Sequence, residues 1–381
     1  MIISNARIVL ADEVIHGSLV VRDGLVIAIG SGPTAIAGAV DCEGDYLLPG
    51  LIELHTDNLE KNLMPRPKVH WPTLPAVLAH DAQIATSGIT TVLDALSVGD
   101  IVDPKGLRVE LLQESVELIN HAVERGLLRA DHLLHLRCEL AVDNLLALAE
   151  PLLDHPRLRL VSMMDHTPGQ RQWTDIGHYR TYVRGKKGWG EEQIERVLGE
   201  LLDAQRRYAD SNRMALVARC RRRALPLASH DDTTAEHVAE AARDGVTISE
   251  FPTTLEAARQ GREHGMRTIM GAPNVVRGGS HSGNFAALQL AGAGLLDALS
   301  SDYVPASLLH GAWLLADVDG FSLPKAIATV TATPAAMIGL ADRGRIAPGL
   351  RADLLRVHVA GSATEACPVV RTVWRQGQRI A

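Results

Sequence analysis

Six imidazole and carboxylate side chains in this sequence lie at or just after the ends of short apolar runs. They are His55, Asp57, Glu139, His166, His230 and Asp302. Imidazole and carboxylate groups are common protein ligands of Zn, Mn and Fe. One such residue alone is more commonly a hydrogen-bonded loop residue or a helix cap. Because they recur at the same relative place in five units, the pattern favours a shared divalent-metal site.

His55 and Asp57 come from a single run. Side chains two residues apart in an extended chain point to the same side of the strand. We therefore expect this strand end to supply two ligands. With the other four residues, the predicted donor set has three histidines and three carboxylates, which suits Zn, Mn or Fe.

Eight apolar runs must position these side chains. They cover residues 51–55, 89–94, 132–139, 159–166, 225–230, 246–251, 268–273 and 299–304. Short runs that are apolar on both faces are typical of buried parallel strands. Helical patterns lie between them, at residues 110–125, 191–223, 235–244 and 255–264. The alternation predicts a closed (β/α)₈ barrel, in which active sites lie at the C-terminal strand ends.

Both ends of the chain are rich in short β patterns separated by turn residues. We expect residues 1–50 and 340–381 to assemble into one small β-sandwich domain. The barrel would then occupy residues 51–339.

The composition of the chain indicates which kinds of binding partner are unfavourable. The net charge is −7 and aromatic residues make up 3% of the chain, which argues against nucleic acid. The start of the chain lacks the pattern of a signal peptide, and no apolar stretch reaches the about 18 residues that a membrane helix needs. The four cysteines form no CxxC pair. These features predict a cytoplasmic protein with reduced cysteines and no membrane association.

Two motifs resemble those of the amidohydrolase superfamily. Residues 47–55 (LLPGLIELH) are similar to its entry into the barrel, and residues 344–354 (GRIAPGLRADL) to its return to the β domain. The resemblance implies one or two divalent metals held by strand-end histidines, here His55, His166 and His230. It also implies that Asp302, on the last strand, handles the proton of the attacking water.

The sequence departs from that superfamily at two points. Asp57 stands where a second histidine is usual. Many members bridge two metals with a modified lysine, but no lysine falls in a predicted strand here. Glu139 is the expected substitute for that bridge.

A finer resemblance is to the diphosphatases of the carbon–phosphorus lyase pathway. It rests on residues 55–61 (HTDNLEK), 164–172 (MDHTPGQRQ), 228–233 (ASHDDT) and 271–284 (GAPNVVRGGSHSGN). This family implies hydrolysis of α-D-ribose 1-methylphosphonate 5-triphosphate, a small sugar triphosphate, to the 5-phosphate and diphosphate. The residues alone leave two alternatives open. One is hydrolysis of a C–N bond, as in a deacetylase or cyclic amidase; the other is a metal-free scaffold protein.

A triphosphate substrate requires cations and backbone N–H groups. Arg277, Ser280 and His281 lie in a glycine-rich segment after the seventh run, where barrels commonly bind phosphate. An ordinary glycine-rich turn is the alternative. Lys61, Arg171 and Lys186 are further candidates, although each alone is more commonly a solvated charge. A homo-oligomer and the identity of the metal are left open.

Overall fold

A computed structural model describes residues 1–66, 69–101, 107–279, 284–361 and 366–381, with backbone alone at 107–108, 178 and 186–187. The strands are β1 Ile2–Val9, β2 Val14–Arg22, β3 Leu25–Ser31, β4 Val40–Asp41, β5 Tyr46–Pro49, β6 Leu51–Thr56, β7 Ile89–Val98, β8 Asp131–Glu139, β9 Leu158–Met164, β10 Leu227–His230, β11 Ile248–Glu250, β12 Arg267–Gly271, β13 Ala298–Ser300, β14 Leu354–Ala360, β15 Cys367–Arg375 and β16 Gln378–Arg379.

The helices alternate with the central strands. They are α1 Asn58–Leu63, α2 Thr73–Thr86, α3 Leu107–Glu124, α4 Leu145–Leu153, α5 Ile176–Lys187, α6 Glu191–Arg222, α7 Ala235–Arg243, α8 Leu255–Glu263, α9 Ala272–Arg277, α10 Ala287–Gly292, α11 Ser307–Leu315, α12 Leu323–Ala328 and α13 Ala332–Met337. The threonines before α7 and α8 cap them, since each hydroxyl accepts a backbone N–H of the first turn. The four helices predicted from sequence are confirmed to within a few residues.

Strands β6 to β13 form a nearly closed parallel barrel in chain order. A bridge between Thr56 and Asp302 brings its last strand to its first. Every residue of β6 and β7 is buried, which explains why most of their side chains are apolar. The predicted eight-stranded barrel is therefore confirmed.

A separate, mostly antiparallel sheet contains strands from both termini, in the order β16-β15-β14-β5-β1-β2-β3, with β4 beside β1. Its central pairing joins β14 to β5 in antiparallel register. Buried side chains from both ends of the chain form its core, including Ile3, Ile8, Leu19, Leu47, Leu354 and Trp374. This confirms that the two termini build one β unit.

Residue contacts divide the chain into two compact units. Unit 1 contains residues 1–94, 117–133 and 270–381, and unit 2 contains residues 95–116 and 134–269. The domain bounds expected from sequence, at residues 50/51 and 339/340, stay a prediction. The four cysteines are free, as expected. Among the helices that the structure describes, none has the length and apolar character required to cross a membrane.

Candidate metal centre

Within unit 1, His55 and Asp57 lie where β6 leads into α1. The expectation of an extended segment is wrong at Asp57, whose φ of −88° and ψ of 8° begin the turn into the helix. The two side chains still face each other, with 3.8 Å between His55 Nε2 and Asp57 Oδ1. The His55 side chain is 2% exposed and that of Asp57 30%. The pair can thus present two metal ligands at the barrel's first strand end.

Asp302 is fixed to this segment through its main chain. Its carbonyl accepts the Asp57 N–H at 2.9 Å and the Thr56 hydroxyl at 2.9 Å, while its own N–H donates to the His55 carbonyl at 3.1 Å. Its φ of 53° lies in the left-handed region, which costs energy in residues other than glycine and is concentrated at functional sites. These bonds fix the main chain of Asp302 to the end of β6.

The buried carboxylate of Glu53 supports the same segment. Its Oε1 accepts the His55 N–H at 2.7 Å and its Oε2 accepts the Ser301 N–H at 2.5 Å. Burial raises the pKa of Glu53 to about 7 despite these two bonds. Glu53 therefore ties the ends of the first and last barrel strands together.

Within unit 2, Glu139 at the end of β8 holds His166, two residues beyond the end of β9. Glu139 Oε2 lies 2.6 Å from His166 Nδ1, and its Oε1 accepts the His166 N–H at 3.1 Å. Burial opposes protonation of His166, but the Glu139 charge outweighs it and raises the pKa of the imidazole. The expected bridging carboxylate is thus well placed to orient a histidine ligand.

His230 ends β10 and lies beside the same group. Its ring centroid is 5.8 Å from that of His166. Potential ligand atoms of His166, His230 and Asp231 all lie within 4.8 Å of one another. Two imidazoles and a carboxylate at this spacing suit a divalent cation.

Sequence reasoning missed Glu250, at the end of β11. Its Oε2 lies 3.2 Å from His230 Nδ1 and accepts the Ser162 hydroxyl at 2.6 Å, and His135 bonds Ser162 from the other side. A carboxylate commonly bonds the ring nitrogen of a metal-binding histidine that faces away from the metal. The signal was available, because Glu250 falls at the end of the sixth predicted strand. Asp231, beside His230, was overlooked in the same way.

The predicted phosphate-binding residues lie in differing surroundings. Lys61 donates to the Tyr303 carbonyl at 2.5 Å. Arg171 is buried, pairs with Asp232 and lies 3.7 Å from Glu240. The loop expected at Arg277 is wrong: this exposed residue ends α9, and Gly278 caps the helix in the left-handed conformation. Ser280 and His281 lie outside the described residues, and so does the side chain of Lys186 on α5.

Unit 1 contains a second buried group of ionisable side chains, from α2 and the strands β7 and β8. Asp94 Oδ2 lies 2.8 Å from His132 Nδ1, and His132 Nε2 lies 3.3 Å from Asp81 Oδ1. All three side chains are fully buried. Burial opposes charge on His132, but the two carboxylates outweigh it and raise its pKa to about 9. His132 is therefore an imidazolium at neutral pH.

This imidazolium predicts how stability depends on pH. The pKa of His132 is about 9 in the folded chain against 6.5 for an ordinary histidine. The proton stabilises the fold fully below the lower value, and that contribution disappears as pH rises through the higher one. We expect the free energy of unfolding to fall by up to about 3 kcal/mol over this interval, measured by urea denaturation at several pH values. His132→Gln should flatten the slope; an equal slope in both proteins would contradict the assignment.

The fold and these strand-end side chains define a class of protein. The amidohydrolase family pattern matches residues 125–381, and the chain belongs to this family. A relative from Escherichia coli (strain K12), alpha-D-ribose 1-methylphosphonate 5-triphosphate diphosphatase, is 49% identical over 382 residues, covering 100% of both chains.

Two solved structures with the same fold are of enzymes that are named for other reactions. A 5-methylcytosine deaminase from Klebsiella pneumoniae superposes with a TM-score of 0.65 at 17% identity, covering 100% of this chain and 98% of that one. An N-acetylglucosamine-6-phosphate deacetylase from Thermotoga maritima gives 0.60 at 13% identity, covering 100% and 99%. At these identities the likeness extends to the fold alone.

Proposed function

We propose that this chain hydrolyses alpha-D-ribose 1-methylphosphonate 5-triphosphate to the 5-phosphate and diphosphate. The observation that carries the proposal is the 49% identity to the E. coli diphosphatase along the whole length of both chains. The substrate is a small molecule, and the proposal includes a cytoplasmic location, which the free buried cysteines support.

The proposed cofactor is one or two divalent ions, with Zn, Mn and Fe as candidates. The proposed ligands are His55, Asp57, Glu139, His166, His230 and Asp302. In support, each lies at or within two residues of a barrel strand's C-terminal end, and their nitrogen and oxygen donors suit these metals. When bound, a metal lowers the pKa of water and neutralises negative charge on the phosphoryl oxygens.

Asp302 is the proposed proton acceptor of the attacking water. Its main-chain bonds fix the strand end, and its carboxylate would orient and deprotonate the water that attacks the α-phosphorus. Glu250 holds His230 through Nδ1, which leaves Nε2 as the ligand nitrogen. The polyphosphate would be bound by Arg277, Ser280, His281, Lys61, Arg171 and Lys186.

A second candidate function is hydrolysis of a C–N bond, as in a deacetylase or cyclic amidase. The same activated water could attack a carbonyl carbon, and a shared fold does not by itself determine the reaction. Release of diphosphate from a sugar triphosphate separates the two functions. A metal-free scaffold is the third possibility, and metal analysis of the purified protein tests it.

Hydrolysis in ¹⁸O-labelled water tests the position of attack. If water attacks the α-phosphorus, the label enters the sugar 5-phosphate and the diphosphate stays unlabelled. Phosphorus NMR resolves the two products and their isotope shifts. Attack at the γ-phosphorus would instead release free phosphate first, and label in the diphosphate would place the attack at the β-phosphorus; either result contradicts the proposal.

A further inference from the structure

A chain of buried hydrogen bonds begins at Asn58, the first residue of α1. The Asn58 amide nitrogen lies 3.0 Å from His80 Nδ1 and donates to Gln83 Oε1 at 2.7 Å. An amide nitrogen can only donate, so His80 Nδ1 is the acceptor. His80 Nε2 then carries the proton and donates to Asp94 Oδ1 at 2.7 Å. The geometry thus assigns His80 as a neutral imidazole with its proton on Nε2.

Asp94 is itself anchored from the other side. Its second oxygen bonds the His132 imidazolium, whose far nitrogen faces Asp81. Asp81 in turn accepts the Ala130 N–H at 3.0 Å and pairs with Arg129 at 3.0 Å. The group brings buried side chains from α2, β7 and the start of β8 together.

Asn58 connects this arrangement to the strand end that carries the proposed metal ligands. It directly follows Asp57, and its backbone N–H donates to the Thr56 hydroxyl at 3.3 Å. That hydroxyl donates to the Asp302 carbonyl. Asn58 therefore sits in the bend that turns Asp57 out of the extended conformation and towards His55.

We propose that Asn58, His80 and Asp94 form a positioning chain that fixes this bend and so holds Asp57 against His55 as a preorganised ligand pair. The proposal rests on the proposed role of His55 and Asp57 as metal ligands. None of the three residues needs to contact metal or substrate. Each acts through the next, in the way that groups behind a metal site orient its ligands.

The polar side chains of the positioning chain favour a role in fixing the position of Asp57 over a role in stabilising the fold alone. Apolar side chains of similar size would fill the space between α2 and β7 at lower desolvation cost. A buried polar chain instead specifies one geometry, because every donor and acceptor must be matched. Here the Asp94 carboxylate fixes the His80 ring, and the ring in turn accepts a hydrogen bond from the Asn58 amide.

The test compares two replacements of His80. His80→Leu removes both bonds, and we expect Zn²⁺ to bind about 10- to 100-fold more weakly, the usual effect of losing a group behind a metal site. His80→Gln offers an amide oxygen to Asn58 and an amide nitrogen to Asp94, so it should restore most of the affinity. Affinity is measured by competition with a chromophoric chelator on the full-length protein.

Asp81→Asn is the matched control, since it weakens the same buried group at the end remote from Asp57. It should lower the free energy of unfolding while leaving Zn²⁺ affinity unchanged. Unchanged affinity in His80→Leu, or equal losses in His80→Leu and Asp81→Asn, would overturn the proposal. If His80→Leu does not fold, Asn58→Ala replaces it, with the same expected loss. If the unmodified protein binds no Zn²⁺, Mn²⁺ or Fe²⁺, the proposed metal site itself fails, which is a different outcome.

Discussion

Replacement of His230 by alanine is expected to lower bound metal and abolish turnover. His230 ends β10 with Nδ1 facing Glu250, and its proposed ligand atom, Nε2, lies 3.5 Å from Asp231 Oδ2. Alanine removes that nitrogen and leaves Glu250 without its histidine partner. Elemental analysis of the purified variant and product release by phosphorus NMR measure the two effects.

His264→Ala is the matched control, because His264 is an exposed histidine just after α8 in the same unit. It should keep full metal content and the normal rate. Circular dichroism shows whether His230→Ala is folded, so that loss of metal is separated from loss of structure. Full metal content with a normal rate in His230→Ala would remove this residue from the ligand set.

Most of the proposed ligands could be found from sequence because they lie at the C-terminal ends of the barrel strands. Parallel strands buried on both faces leave a recognisable apolar run, and a barrel places the end of each run on one face. His55 and His230 are both strand residues at or next to such an end. Glu250 ends β11 in the same way, so its position in the sequence also indicates a site residue.

Local backbone conformation was harder to predict. Asp57 was expected to continue the strand, but α1 begins one residue later. Arg277 was expected in a loop, whereas Pro273 in the first turn and Gly278 after the last residue bound a short helix. Proline near a helix start and glycine just past its end are established signals. The glycine-rich composition of the segment obscured them.

The buried chain from Asn58 to Asp94 could not have been derived from sequence alone. The second apolar run is predicted to end at Asp94, yet β7 continues to Val98. Its partners His80 and His132 are 14 and 38 residues away. Only the tertiary fold shows which distant imidazoles form hydrogen bonds with a buried carboxylate.

Asp302→Asn is expected to fold and bind metal yet lose roughly 10²-fold or more in kcat, the usual scale for removing general acid–base help. The substitution spares the structure for two reasons. The bonds that tie this residue to Thr56 and Asp57 use its main-chain carbonyl, which asparagine retains. Asparagine also tolerates the left-handed φ of 53° better than most residues.

What asparagine lacks is a carboxylate that can accept a proton from water, so the loss should appear in kcat. Steady-state kinetics with the sugar triphosphate measure it, and elemental analysis checks that metal is retained. Asp319→Asn, an exposed carboxylate of the same unit, serves as the control and should behave as the unmodified protein does. A near-normal kcat in Asp302→Asn would show that the Asp302 carboxylate has a structural role and that another group accepts the proton. Loss of metal together with activity would instead assign Asp302 chiefly to metal binding, because amide oxygen is a weaker ligand than carboxylate.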